Sequence, residues 1–296
     1  MDLRTVGLQS PGDMGHAVGR TLVAHGLRVI TCLQGRSERT RGLATEAGIE
    51  EVETYQELVA QAQLILSIVV PAQAIALAAE VAVALREGDA QDVIYADCNA
   101  IAPQTARQVE RIIVEAGARF ADACIIGAPP REGARTRFYV SGHHTEAMLA
   151  LNERGLDVVD LGGDAGQASG LKMCYAALTK GLTALCTELL TAGQALGIAG
   201  PLAEELGASQ AALYARMERG IPSMLPKAHR WVGEMEEISR TFGALGLTPD
   251  MLQGAAEVYR LVARTELGKR TPEDPRPLPD LEETIATLAD ALDSRE

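Results

Sequence analysis

Three stretches of this chain carry residue types whose spacing can do chemistry. The first is Val6 to Gly15, Val-Gly-Leu-Gln-Ser-Pro-Gly-Asp-Met-Gly. Glycines such as Gly7, Gly12 and Gly15 let a backbone approach a pyrophosphate and let a helix sit close to a sheet. A helix starting just after them would face phosphate oxygens with free N–H groups and a favourable dipole. A Gly-x-Gly-x-x-Gly reading falls on Ser10, Gly12 and Gly15, so a serine holds its first position, where it could add a hydroxyl to the phosphate contacts. Pro11, Asp13 and Met14 fill the rest of the turn. On this stretch alone, a plain strand-to-helix turn competes with the dinucleotide reading.

The second stretch is Leu33-Gln34-Gly35-Arg36-Ser37-Glu38-Arg39, at the end of the next apolar run. A ribose with free hydroxyls is usually met there by an acid, and none is present. Arg36 and Ser37 instead offer charge, a hydroxyl and a helix start to a phosphate on the adenosine ribose. This favours NADP(H) over NAD(H); a capped, solvated helix start is the alternative. The third is Lys172, one turn into a long helical pattern that follows Gly162-Gly163-Asp164-Ala165-Gly166. A desolvated lysine pointing back toward a cleft between domains can act as a general acid or base. Tyr175, Ala176 and Thr179 share its helix face. Lys180, two turns on, competes for the role, and a solvated surface lysine is the plain alternative.

The elements that must position these residues follow from periodicity. Strands are expected at Leu3–Leu8, Leu27–Leu33, near Glu51, Leu64–Val70, Val93–Ala96, Phe120–Ile126, Arg137–Ser141 and Val158–Leu161, with helices between most of them. Ser37 and the Thr54-Tyr55-Gln56-Glu57 capping box start two of those helices. The rhythm predicts an α/β fold, a Rossmann-type doubly wound, mostly parallel sheet over residues 1–165. Val70 and Pro71, and Asn99 within Asp97-Cys98-Asn99-Ala100-Ile101-Ala102-Pro103, then fall at the carboxyl edge of the sheet, where ligands sit in such folds. Asn99 both donates and accepts, and could hold a hydroxyl or a carboxamide, or cap the next helix.

From Ala168 to about Leu196 one amphipathic run continues without proline, long enough for about 40 Å of helix. Nothing after it reads as a strand. An all-α domain is expected over residues 166–268, with helices near Pro201–Arg219, Ser223–Leu245 and Pro249–Thr265. A proline-rich linker and a last helix fill residues 269–296. A formal charge of −13 argues against nucleic acid as a partner. The five cysteines are scattered, so reduced thiols are expected rather than disulfides or a metal site. No apolar run is long enough to cross a bilayer, and a cytoplasmic location away from membranes is expected.

Gly7-x-x-Ser10-x-Gly12-x-Met14-Gly15, Asp97 to Pro103, Asp122 to Ala128 and the glycine-rich lead-in to Lys172 agree in order and spacing with one family. Through Thr265 the chain resembles the 6-phosphogluconate dehydrogenase and β-hydroxyacid dehydrogenase superfamily, in a less characterised branch. The resemblance implies an NAD(P)-dependent dehydrogenase of small hydroxy compounds, homodimeric through its helical domain. In that family the lysine matching Lys172 takes the hydroxyl proton as hydride leaves for the nicotinamide. The same resemblance implies that the segment of Asn99 contacts nicotinamide and substrate. On the dehydrogenase reading, Asn99 and Tyr175 are expected to orient the substrate and Gly127 to let it approach the backbone. Three departures stand out. Ile126 replaces a serine that holds the substrate carboxylate, Ala176 replaces an asparagine, and a Lys–Asp pair on a later helix is not evident near Glu234 to Glu237. The resemblance therefore carries cofactor and reaction type further than substrate. Arg131, Arg135 and Arg137 read either as an anion site or as a solvated loop, and His229 either as a substrate contact or as a packed residue. Imine reduction on the same scaffold, whose enzymes generally lack the lysine, and dinucleotide binding without catalysis are the rival readings.

Overall fold

The computed structural model describes residues 2–88, 92–131, 133–271 and 274–293. The proline-rich segment is thus described except at residues 272–273. The chain divides into two compact units, Met1–Met173 and Cys174–Glu296. The first contains strands β1 (Thr5–Gln9), β2 (Arg28–Cys32), β3 (Glu50–Val52), β4 (Leu64–Ser67), β5 (Ile94–Asp97), β6 (Arg119–Ile126), β7 (Arg137–Ser141) and β8 (Asp157–Asp160). Its helices are α1 (Gly15–Ala24), α2 (Glu38–Glu46), α3 (Tyr55–Gln61), α4 (Ala74–Glu87), α5 (Pro103–Val114) and the short α6 (Glu146–Leu149).

The strands form one sheet in the order β3-β2-β1-β4-β5-β6-β7-β8, and only the β6–β7 pair is antiparallel. The order reverses between β1 and β4, which opens a crevice at their carboxyl ends. Strand interiors are apolar on both faces because helices cover both. Val6, Leu8, Leu64, Leu66, Val18 and Leu22 fill one core. Ile30, Ile65, Tyr95, Phe120, Leu58 and Val81 fill the other. Local signals set the helix starts: Ser37 accepts from the Thr40 amide and Thr54 from the Glu57 amide, as their types and spacing require.

β4 is shorter than its apolar run. It stops at Ser67, because the Val69 amide turns away from the ladder and donates to the Asn99 side chain at 2.6 Å.

A single helix, α7 (Gln167–Ala195), begins in the first unit and continues into the second. The second unit adds α8 (Ala199–Ser209), α9 (Ala211–Met224), α10 (Ala228–Ala244), α11 (Asp250–Arg264) and α12 (Leu281–Asp293). Two expected helices are divided differently. The run from Pro201 breaks at Gln210, which leaves helical geometry at φ −132° and ψ 36°. The run expected from Ser223 starts only at Ala228, after a tight turn at Leu225–Lys227 whose Pro226 cannot donate to a helical ladder. Along α7, Thr183, Thr187 and Thr191 each donate to the carbonyl four residues back, which satisfies hydroxyls that the helix would otherwise bury unpaired. Among the described residues no helix is long and apolar enough to cross a membrane.

Candidate active site and dinucleotide crevice

The sheet register places a row of polar residues at its carboxyl edge. Gln9 is level with Ser67, Ser67 with Asp97, Asp97 with Asp122, and Asp122 with Ser141. All five are buried. Residues level with one another point to the same face, so these five close the apolar core on that face. Each must find partners inside the protein.

Asp122 finds them in α7. Its Oδ2 accepts from the amides of Gly166 at 2.9 Å and Ser169 at 3.0 Å and from Ser141 Oγ at 3.0 Å; its Oδ1 accepts from Ser169 Oγ at 2.5 Å. Ser141 Oγ in turn accepts from the Ala168 amide at 3.0 Å. A carboxylate in the sheet thus does for α7 what a capping side chain does from the adjoining residue, with the helix dipole in its favour. Burial still pushes the Asp122 carboxyl above its ordinary range, against those hydrogen bonds.

One turn beyond Ser169 comes Lys172. Its Nζ, half-buried, donates to the Ile125 carbonyl at the end of β6 at 2.6 Å. The ammonium has three protons and this bond uses one. Cys124 lies near enough to feel the lysine's charge, but burial dominates and pushes its thiol up to about 12, so it stays protonated. Gly127 follows with φ +125°, and a Cβ there would lie 2.2 Å from the Arg135 carbonyl. Its lack of a side chain is used by the hairpin's own backbone. Ile126 is half-buried and Ala176 is buried. Tyr175 is exposed and belongs to the second unit.

Lys180 has a different fate. Within the second unit it pairs with Glu234 and sits 5.0 Å from the Trp231 ring centroid. Trp231 packs edge-on against Tyr259, whose hydroxyl donates to the Lys180 carbonyl at 2.6 Å. That lysine holds helices together, and Trp231 is packed with it. His229 is exposed on α10.

The cofactor candidates are tied into one group. Asp13 of the turn pairs with Arg39 at 2.5 Å, Arg36 reaches Gln73 beyond Pro71 at 3.5 Å, and Asn99 holds Val69 just before Val70. Ser10 takes φ +60°, the left-handed conformation that makes glycine usual at its position. A serine can occupy it at a cost of about 1–2 kcal/mol. Gly15 is held against Ser10, whose carbonyl would stand 2.7 Å from an added Cβ. By contrast, no atom lies within 4 Å of a Cβ at Gly12, and α1 begins without a side-chain cap. An open glycine backbone before an uncapped helix fits a pyrophosphate. Gly7 serves packing instead, since a Cβ there would meet Leu58 at 2.9 Å. Ser37 caps α2 beside Arg36, and Pro11 is buried behind the turn.

Asn99 is more committed than its sequence context suggests. Its amide donates to Ser67 Oγ and to Asp97 Oδ2, each at 3.0 Å, while its Oδ1 accepts from Val69. Its own N–H donates to Asp97 Oδ1 at 3.0 Å. It locks the β4 and β5 ends together. Asp122, Ser141 and Ser169 are the residues sequence reasoning did not assign a role; a lone acid inside the apolar Phe120–Ile126 run was the available signal.

Sheet order, open turn and uncapped helix define a dinucleotide-binding domain of the NAD(P) type. The chain belongs to the family of the NAD binding domain of 6-phosphogluconate dehydrogenase, which it matches over residues 5–153. Residues 194–262 match a domain of unknown function, DUF1932. A 28.5 kDa protein of Methanothermus fervidus with no assigned activity is 27% identical over 236 residues, 79% of this chain and 89% of that one. A conserved protein described as structurally similar to 3-hydroxyacid dehydrogenases is 28% identical, with a TM-score of 0.66 over 88% of this chain and 96% of that chain. The 3-hydroxyisobutyrate dehydrogenase of Mycobacterium tuberculosis shares the fold at 19% identity, with a TM-score of 0.68 over 97% of this chain and 99% of its own. An imine reductase of Streptomyces aurantiacus also shares it, at 15% identity and a TM-score of 0.56 over 98% and 99%.

Asp97 supplies a test of the polar row. Burial foremost, with the nearby Asp122 charge, pushes its carboxyl from 3.8 to about 7 against the Asn99 bonds. A carboxyl raised on folding binds its proton more tightly in the native state, so its contribution to stability falls as pH rises from about 4 to 7 and is constant above. In urea unfolding, the stability of the wild type relative to Asp97→Asn should decline across that window and level off above it. A difference independent of pH would contradict the assignment.

Proposed function

We propose that the protein is an NADP-dependent oxidoreductase of a small hydroxy compound, with Lys172 as general acid/base. The observation that carries this reading is the placement of Lys172 Nζ. It is half-buried, fixed to the Ile125 carbonyl and borne on a helix whose first turn is anchored in the sheet by Asp122. Bound at the glycine turn, the nicotinamide cofactor would supply or accept the hydride. In oxidation Lys172 Nζ, as the neutral amine, would take the proton from the substrate hydroxyl oxygen and become the ammonium; in reduction the ammonium would return that proton to the oxygen. As the ammonium it can hold the substrate oxygen through an N–H bond that Ile125 does not engage; as the amine it keeps one N–H on the Ile125 carbonyl and offers its lone pair to the hydroxyl proton.

Asn99 keeps the Val69–Pro71 loop and the β5 end in register where the nicotinamide end of the cofactor would lie. Tyr175, three residues on along the same helix, is the further proposed substrate contact, while Gly127, proposed from the sequence for the same role, serves the hairpin's own backbone. Arg36 and Ser37 would take the ribose phosphate that distinguishes NADP from NAD. A β-hydroxyacid is the proposed substrate class, and Ile126 in place of a serine calls for a different carboxylate anchor from that of 3-hydroxyisobutyrate dehydrogenases. A homodimer working in the cytoplasm, away from membranes and nucleic acid, is part of the same reading. Lys172 favours this chemistry over imine reduction.

Replacing Lys172 with Met should lower NADPH-dependent turnover on a panel of β-keto acids by about 10²–10⁴-fold while sparing NADPH binding. Unchanged turnover would rule the lysine out as the acid/base. For the cofactor, Arg36→Ala should weaken NADPH binding by about tenfold or more, the worth of a charged hydrogen bond, and leave NADH binding nearly unchanged. Equal losses for both cofactors would remove the case for NADP.

A further inference from the structure

A second basic site lies in the first unit, apart from the dinucleotide turn. A cavity of about 690 Å³ opens between the C-terminal end of α1, the β6–β7 loop and the start of β8. Arg20 and His25 line it from α1 and the residue after it, and Arg131 and Arg135 from the loop. The volume falls in the range of small-molecule sites, about 300–1,000 Å³.

Arginines outnumber carboxylates among the described residues that line it. Among the described residues Arg20, Arg131 and Arg135 form no ion pair or side-chain hydrogen bond. Asp157 is the carboxylate that lines the cavity, and it is engaged by Arg137 at 2.8 Å. Three guanidiniums without a partner among the described residues line one cavity from two separate elements, in a chain of net charge −13. The ring of His25 is oriented too. Its Nδ1 bonds the Thr21 carbonyl at 2.8 Å, and Gly155, at φ +84°, lies so close that a Cβ would stand 2.4 Å from the ring. The two threonines on the wall already donate their hydroxyls to backbone carbonyls. Recognition therefore falls to the guanidinium forks, which match oxyanions with paired oxygens.

We infer that this cavity is a second ligand site, one that takes a small phosphorylated molecule. It is not an extension of the pyrophosphate turn, because the turn precedes Gly15 whereas Arg20 to His25 lie about 7.5–15 Å farther along the helix axis at 1.5 Å per residue. A concave site of this size on an acidic chain suits a small polyanion, not a nucleic acid.

Pyrophosphate is the probe. Calorimetric titration of the full chain, with and without NADPH, should show saturable pyrophosphate binding that persists when NADPH is present. That binding should weaken at least tenfold in the Arg131→Ala/Arg135→Ala double variant and in Arg20→Gln alone, and should be unaffected in Arg36→Ala. All three arginines are exposed, and circular dichroism of each variant checks that it is folded; Arg20→Gln tests the site through a different element from the loop variant. Absence of saturable binding, or equal affinity in the wild type, the double variant and Arg20→Gln, would overturn the assignment.

Discussion

The Asp122 carboxylate and the first turn of α7 solve each other's problem. A carboxyl on the inner face of a sheet must be hydrogen-bonded, and a helix start buried against that sheet leaves amides that must be accepted. Asp122 takes the amides of Gly166 and Ser169 and the hydroxyls of Ser169 and Ser141. The position of Lys172 follows, because it lies one turn from Ser169 and reaches the Ile125 carbonyl, three residues past Asp122 on the same strand. Sheet, helix start and lysine form one rigid chain of contacts.

The same logic runs along the carboxyl edge. Gln9, Ser67, Asp97, Asp122 and Ser141 stand level on five neighbouring strands, four of them at the strand's last residue and Asp122 within the apolar run of β6. Asn99 takes up much of what they offer, and in doing so pulls Val69 out of the β4 ladder. The loop after β4 is thereby fixed beside the glycine turn. At the turn itself Gly12 is open and α1 begins without a side-chain cap. The two lysines of α7 show how context separates like residues. Lys172 meets a single carbonyl, whereas Lys180 is enclosed by Glu234 and Trp231.

The alternation of strands and helices, the glycine turn and the caps at Ser37 and Thr54 were legible because each depends on residues within a few positions of one another. Family resemblance likewise pointed to Lys172. What was not legible depends on partners far apart in the chain. Asp122 and the amides it binds are separated by 44 and 47 residues. β4 ends at Ser67 through a side chain 30 residues away, although its sequence stays apolar to Val70. Gly7 and Gly127 read as ligand-facing glycines, but the nearest atoms to their missing side chains belong to Leu58 and to the Arg135 carbonyl. Ser10 shows the converse: the motif departs from glycine while the backbone keeps the left-handed conformation.

The Asp122 anchor sets the position of Lys172. Amide hydrogen exchange across Gly166–Ser169, read together with turnover in Asp122→Asn, tests it most directly. A single amide oxygen cannot accept from every donor that the carboxylate serves. Exchange at these amides should be slow in the wild type and fast in the variant, with the sheet still protected and turnover reduced. Free exchange at these amides with full turnover, or full protection without the carboxylate, would contradict it.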